Sequence, residues 1–539
     1  MNLFLGYNRQ TGSPIFLTPE ARSTHVLLLG ASESGKTTLM ENMIRQDIDA
    51  GNGVLVMDPH GELYERVLKY CCVRSSYLKR LYLVNPNDDS RRIGINYFDM
   101  PGLDIDGRVR LMLNGLYKAF GQSPDETKVL LERWGKASLR ALEPLGLTLA
   151  ELYYLLVDPQ FREAVLSRIK DTFLHTEWDY FDSLSSRDRG SNLLAILDRA
   201  SRFAESERMR EIFGQTNSID WLKVMDEGGI VLVNLLPKPA PEDLMKIVGI
   251  STLHQVYASA KMRPKNEPRT KHFYVYVDEF SQLLTDDYAK ALRELRGFGV
   301  HFLLSQQEIN DLKRADEHEI LFSTVINNTK VKIVFHLGDY NEALEIAKHL
   351  FAPQITGEEI KAEITQAIPH PYEATVSGRS DSESFSQSTQ EIITPDGLQI
   401  SRASGQNMTR QSATSESTVQ RVDYTYEKIP VFRSLEESFH QGATAIMAQV
   451  IGEAQILYSA KDPPLPLRTV VPPDYHLRRD RILQRVEEVY DRMGLLSPAR
   501  VSSLLENRKA GFLQAREAEF EEYDGDDIPP ENPSDRKTP

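Results

Sequence analysis

Cysteine is nearly absent from this chain: among 539 residues there are two, Cys71 and Cys72, and they are neighbours. Adjacent cysteines seldom close a strain-free disulfide, so a disulfide-stapled secreted fold is excluded and a reducing compartment fits. Also missing is any apolar run approaching the roughly 18 residues that a membrane span needs. The N-terminus lacks the basic-then-apolar layout of a secretory signal, so a cytoplasmic protein with no transmembrane segment of its own is expected. Basic charge is scarce too, with 63 Lys and Arg against 78 Asp and Glu and a formal net charge of −15. That balance argues at first sight against a nucleic-acid partner. Much of the deficit is concentrated in one place, however. Glu517, Glu519, Glu521, Glu522, Asp524, Asp526, Asp527, Glu531 and Asp535 face only Arg516, Arg536 and Lys537. An acidic, disordered tail over 515–539 is expected, and a basic surface elsewhere stays open.

What is present is a soluble globular composition, 41% apolar and 26% charged, long enough for about two to four domains. The most informative stretch is Gly30-Ala31-Ser32-Glu33-Ser34-Gly35-Lys36-Thr37, which matches G-x-x-x-x-G-K-[ST] and is followed by Thr38. His25-Val26-Leu27-Leu28-Leu29 before it reads as a buried parallel strand. Leu39, Met40, Met43, Ile44 and Ile48 after it recur at helical spacing. A glycine-rich turn between such a strand and helix turns backbone N–H groups toward phosphate oxygens, with the helix N-terminus behind them. Lys36 reaches the terminal phosphates and Thr37 offers a hydroxyl to Mg²⁺. ATP and Mg²⁺ are the expected ligands. Glu33 is expected to point outward, to solvent or a neighbouring subunit.

Further apolar runs at 54–57, 230–233, 274–277, 301–304 and 331–335 alternate with helical patterns, the layout of an α/β domain with a mostly parallel sheet. The first part of this core is read as 1–101 and the second as 226–372. Between them, residues 102–225 read as an all-helical insertion, with Thr148 and Glu151 as a capping box. Residues 373–424, rich in Ser, Thr and Gln, read as a flexible excursion. The chain returns to the core over 425–475, then forms a helical C-terminal segment, 476–514.

Hydrolysis needs more than a phosphate loop. Asp278 and Glu279 follow the apolar run Tyr274-Val275-Tyr276-Val277, at the strand end where open α/β sheets carry ligands. Asp278 is assigned to hydrated Mg²⁺ and Glu279 to polarising the attacking water. Gln307, with Gln306 as the alternative, ends the next strand and suits a γ-phosphate sensor, because an amide both donates and accepts. Asp58 and His60 end the strand after the loop helix. With no second His or Cys near it in sequence, His60 is weighted toward structuring its loop rather than toward catalysis or metal binding.

The order GASESGKTT, VMDPHGEL, helical insertion, GGIVLVNLL, YVDEF and LRGFGVHFLLSQQ resembles the HerA/FtsK superfamily of motor ATPases, most of all the coupling ATPases of conjugative type IV secretion. The resemblance runs from about Gly30 to about Phe335, with a weaker echo from Ile429 to Thr469. It implies a RecA-like P-loop NTPase fold, a ring of six subunits with ATP between neighbours, and movement of DNA through the ring. It also implies an arginine from the adjacent subunit, and Arg296 matches the family's basic position, with Arg293 a turn earlier. The membrane coupling proteins carry N-terminal transmembrane helices, and none precedes Gly30 here. A soluble motor recruited by a separate membrane or secretion-system subunit is therefore expected. Arg91-Arg92 and the segment Arg263 to Lys271 are candidate DNA contacts or ordinary solubilising charges. A secretion ATPase that recruits or pumps protein without binding DNA is the alternative, and a slow nucleotide-gated scaffold is a third reading that Glu279 counts against.

Overall fold

An apolar run with no polar member, such as Val26–Leu29, needs cover on both of its faces. Strands of this kind form the middle of the sheet in the computed structural model. It describes residues 1–120, 125–267, 271–283, 285–314, 320–351, 360–390, 403–432, 434–459 and 462–523. In chain order the strands are β1 (Leu3–Asn8), β2 (Pro14–Leu17), β3 (Val26–Leu29), β4 (Gly53–Asp58), β5 (Leu81–Val84), β6 (Ile230–Asn234), β7 (Phe273–Val277), β8 (Val300–Gln306), β9 (Val331–Phe335), β10 (Ile360–Gln390), β11 (Ala403–Phe432), β12 (Glu453–Leu457) and β13 (Leu465–Thr469). The chain divides into two units, residues 1–354 with 439–539, and residues 355–438.

The first unit holds an eleven-stranded sheet in the order β2-β1-β13-β12-β9-β3-β8-β7-β4-β6-β5. From β9 to β5 every neighbouring pair is parallel; β12, β13, β1 and β2 add an antiparallel flank. Every residue of β3, β4, β7 and β8 is buried. Successive side chains point to opposite faces, so each strand feeds two cores. Leu27, Leu29, Leu55, Met57, Val275 and Val277 join one. Val26, Leu28, Val54, Val56, Tyr274 and Tyr276 join the other, with Leu39, Met43 and Ile44 of the helix Lys36–Asp49.

Between β5 and β6 the described residues contain helices and no strand. Their interior is aromatic, with Trp134, Trp178 and Phe181 in mutual edge and tilted contact. Thr148 and Glu151 form the capping box at Leu149–Val157. Glu151 also accepts from Arg508 Nε at 2.9 Å, which ties the last helix, Pro498–Tyr523, to the insertion. That helix runs past 514, and residues 524–539 of the expected acidic tail lie outside the described residues.

The second unit contains the stretch 373–424, read from the sequence as a flexible excursion. The Ser/Thr/Gln-rich stretch falls inside an antiparallel ribbon, β10 paired with β11 in continuous register from Ala362↔Val431 to Gln390↔Ala403; residues 391–402 are outside the described residues. Thr, Val and Tyr recur often enough to supply β propensity. Over 373–390 and 403–418 the alternation of apolar and polar residues that betrays a half-buried strand is weak, and the described side chains of both strands lie mainly in solvent.

Candidate active site

The site is built at the carboxyl edge of the parallel strands, and its cradle depends on two glycines. Gly30 has φ +157° and Gly35 φ +113°. A Cβ on Gly30 would lie 2.6 Å from Phe335 Cβ, and one on Gly35 would lie 3.1 Å from the backbone of Gly452, so side chains are excluded at both. The loop is pinned by backbone bonds from three strands' ends. Gly30 N–H donates to Gln306 O (3.3 Å), Ala31 N–H to His336 O (2.8 Å), and Gly452 N–H to Ser34 O (2.9 Å). Gly35 caps the helix Lys36–Asp49 without any side-chain hydrogen bond, which leaves first-turn N–H groups as donors for an anion.

The cleft over this loop has a volume of about 400 Å³ and is lined by Ser32 through Thr38, by Asp58 and His60, and by Asp278, Glu279 and Gln307. Glu33 is exposed at its rim in a left-handed conformation, φ +59°. The Lys36 ammonium is buried and donates to Gly30 O (2.5 Å) and Ala31 O (3.1 Å). Burial lowers its pKa, and the charges of Glu279 and Asp278 oppose that fall.

Asp278 and Glu279 leave β7 in a backbone turn that few residues adopt, with Glu279 at φ +44°. Such strain persists where the surroundings fix it, as active sites do. One Glu279 oxygen, Oε2, accepts from Gln306 Nε2 (3.1 Å) and from Gln307 N–H (3.4 Å). The other, Oε1, is buried with no partner and is free to accept from a water. Burial, followed by the charge of Asp278, pushes the Glu279 carboxyl up to about 7, a value suited to a general base near neutrality.

Of the two glutamines, the preferred sensor Gln307 is the one that lines the cleft. Gln306 is fully buried, and its amide bridges Glu279 to Ser281, accepting from Ser281 N–H at 3.1 Å. Both glutamines therefore act on Glu279: Gln306 donates from its amide, and the backbone and side-chain hydrogen bonds of Gln307 lower the carboxyl's pKa against the rise. Asp58 accepts from His60 N–H (2.8 Å) and Tyr64 N–H (2.9 Å), shaping the turn into the helix Glu62–Cys71. Burial raises its pKa, and Asp278 adds to the rise.

Arg296 is not brought to this cleft within one chain. With Arg293 and Lys265 it lines a larger cavity, about 950 Å³, at the opposite edge, where β7 and β8 begin. Three of the candidate DNA contacts are structural instead. Arg91 pairs with Glu487 and Asp491, and Arg92 is buried against Glu211. Arg263 is buried and donates to Asp226, Phe298 O and Lys271 O. Arg269 and Thr270 lie outside the described residues.

Two cleft residues escaped the sequence argument. Arg66, paired with Glu41 and Glu62, lines the cleft one turn beyond Asp-Pro-His-Gly-Glu. Ile451, 77% exposed, reaches it from the turn before β12. The spacing Glu62–Arg66 was a usable signal for the first; nothing local marked the second.

A glycine cradle between a buried parallel strand and a helix, faced by an acidic pair on a neighbouring strand, defines a P-loop NTPase core of the RecA type. Two family models match the sequence. "Helicase HerA, central domain" matches residues 3–253 and "TraM recognition site of TraD and TraG" matches residues 272–419. The chain belongs to the HerA/TraG-like P-loop ATPases. No curated protein matches it in sequence. Among solved structures, the bacterial conjugative coupling protein TrwB lacking its first 70 residues superposes with a TM-score of 0.50 at 15% identity, over 88% of this chain and 89% of that one. TrwB in complex with ADP and Mg²⁺ gives 0.50 at 16%, over 88% and 91%. VirB4 of Thermoanaerobacter pseudethanolicus gives 0.51 at 11%, over 87% and 97%. No helix among the described residues is long and apolar enough to cross a membrane.

Proposed function

We propose that this ATPase is a DNA translocase working as a ring, in which the cleft of one subunit is completed by Arg296 of the next. The observation that carries hydrolysis is Glu279, with Oε2 held by Gln306 and Gln307 and with Oε1 free. Lys36 binds the terminal phosphates, and the Ser32–Thr38 backbone cradles them. Thr37 and Asp278 suit a hydrated Mg²⁺. No group of three His, Cys, Asp or Glu among the described residues could hold an ion unaided, which agrees with a cation that arrives with the nucleotide. The ion would neutralise charge developing on the transferred phosphoryl group. Ile451 offers the cleft's exposed apolar surface to the base.

Arg293, Arg296 and Lys265 sit away from the cleft, as a group that acts in trans requires. The DNA reading draws on the matched HerA helicase domain and on a neighbour titled a conjugative coupling protein. ATP turnover measured with single- and double-stranded DNA across a salt series tests it. Stimulation that falls steeply with salt is expected, because phosphate contacts release counterions; a flat response removes the DNA reading. The match to a model named for TraM recognition favours, as a second reading, a secretion ATPase that recruits protein. That reading predicts turnover indifferent to DNA.

A further inference from the structure

Natural β-proteins protect open strand edges with lysine, proline, bulges or short length. The ribbon β10–β11 carries other charged side chains but no lysine, proline or bulge over most of its length. Its strands are 31 and 30 residues long, which at about 3.4 Å per residue is on the order of 100 Å. No Lys or Pro occurs between Tyr372 and Gln390 or between Ala403 and Glu427. Its one register irregularity lies at the base, between Ile360 and Ala362. A two-stranded ribbon is marginal in water by itself, and this one also displays an apolar stripe. Val422, Tyr424 and Tyr426 alternate along β11, hence share a face, and are 43%, 55% and 71% exposed. Pro371, Pro369 and Ala367 stand opposite them.

We infer that the ribbon is a self-association element whose edges pair with the ribbons of other copies of this chain, β10 of one against β11 of the next. The strands already show that they suit each other. Arg410 meets Glu383 at 2.6 Å, and Lys428 meets Glu363 at 3.0 Å. Ribbons standing side by side in one direction repeat the same antiparallel, oppositely charged pairing at each new edge. Each copy offers one β10 edge and one β11 edge, so the contact is head-to-tail and is satisfied throughout only when a ring closes. Pairing also covers the flanks of the tyrosine stripe with neighbouring strands about 4.8 Å away. The inference needs no ATP chemistry, so it stands or falls independently of Glu279.

Hydrogen–deuterium exchange of the full chain at low and high protein concentration reads it directly. Amides of 372–390 and 403–428 should exchange at least about tenfold more slowly in the concentrated sample, and Y424K/Y426K, which places gatekeeping lysines on the stripe, should abolish that difference. Replacing residues 363–428 by a short Gly/Ser linker should weaken self-association at least about tenfold in sedimentation, with nucleotide binding as the control for an intact core. Exchange in the ribbon that is independent of concentration overturns the inference and leaves the edges to the ribbon alone or to a foreign strand. Undiminished self-association of a correctly folded ribbon-less chain also overturns it.

Discussion

The strands β7 and β8 and the strands β10 and β11 share one backbone geometry and differ in everything their side chains meet. In β7 and β8 all twelve positions, five and seven, are buried. Each large apolar side chain there gains about 1.5–3 kcal/mol by leaving water, so register is fixed by two cores at once. In the ribbon the described side chains are mainly solvated, and register rests on the backbone ladder and a few charge pairs. Rigid strands hold Asp278, Glu279, Gln306 and Gln307 within hydrogen-bond reach of each other. Solvated strands hold no such constellation and expose edges instead. On the readings proposed above, chemistry belongs to the first kind of strand and association to the second.

The contrast can be broken by substitution. The largest effect is expected for Glu279→Gln, which keeps the shape and removes the base. ATP turnover should fall by about 10² to 10⁴-fold with nucleotide affinity preserved, and retained turnover takes the role of base away from Glu279. Next comes Gly30→Val, whose side chain meets Phe335 Cβ. It should lower stability by about 2 kcal/mol or more, visible as a fall in Tm. Gly378→Ala in the ribbon, where a Cβ meets only Ser415 at 3.7 Å, should leave the core transition where it was.

Gln306→Leu tests the positioning bond. With its donor gone, the charged form of Glu279 loses a partner. The acidic limb of the kcat/KM profile, expected near pH 7, should move upward while KM changes little. An unmoved limb shows that Gln306 does not tune Glu279. The same carboxyl has a stability signature. Its folded pKa is raised from the ordinary 4.5 to about 7, so its favourable contribution is complete below pH 4.5 and is lost as pH rises through 7. Glu279→Gln should therefore raise Tm more at pH 8 than at pH 4. The smallest effect is expected for Val422→Ser with Tyr424→Ser, where core Tm should stay within error because both side chains are exposed.

Much of the site was legible because its chemistry is local. The loop from Gly30 to Thr38 needs its glycines at fixed spacing, and Asp278-Glu279 needs an apolar strand immediately before it. Contacts made at long range were not legible. Gln306 and Gln307 look alike in sequence, and only the fold shows that Gln306 is buried at the end of β8 while Gln307, just past it, lines the cleft. Arg92 and Arg263 read as free charges because Glu211 and Asp226 lie far away along the chain. Short strands at or next to the sheet's edges, β1, β2 and β5, were missed, since four to six residues carry too little pattern against neighbouring turns. The pairing of β10 with β11 was not legible because a flexible segment and a strand solvated on both faces have similar composition.

The bond from Gly452 N–H to Ser34 O joins two ends of a timetable. The ribosome makes Ser34 early, and Gly452 emerges only after the insertion, the second half of the sheet and the ribbon have all been synthesised. Until then the nucleotide loop lacks one of its three pins, and β1 lacks its neighbour β13. A nascent chain stopped short of Gly452 should hold ATP poorly even though every residue of the loop is present, so competence to bind fuel arrives only after the insertion and the parallel sheet have been made.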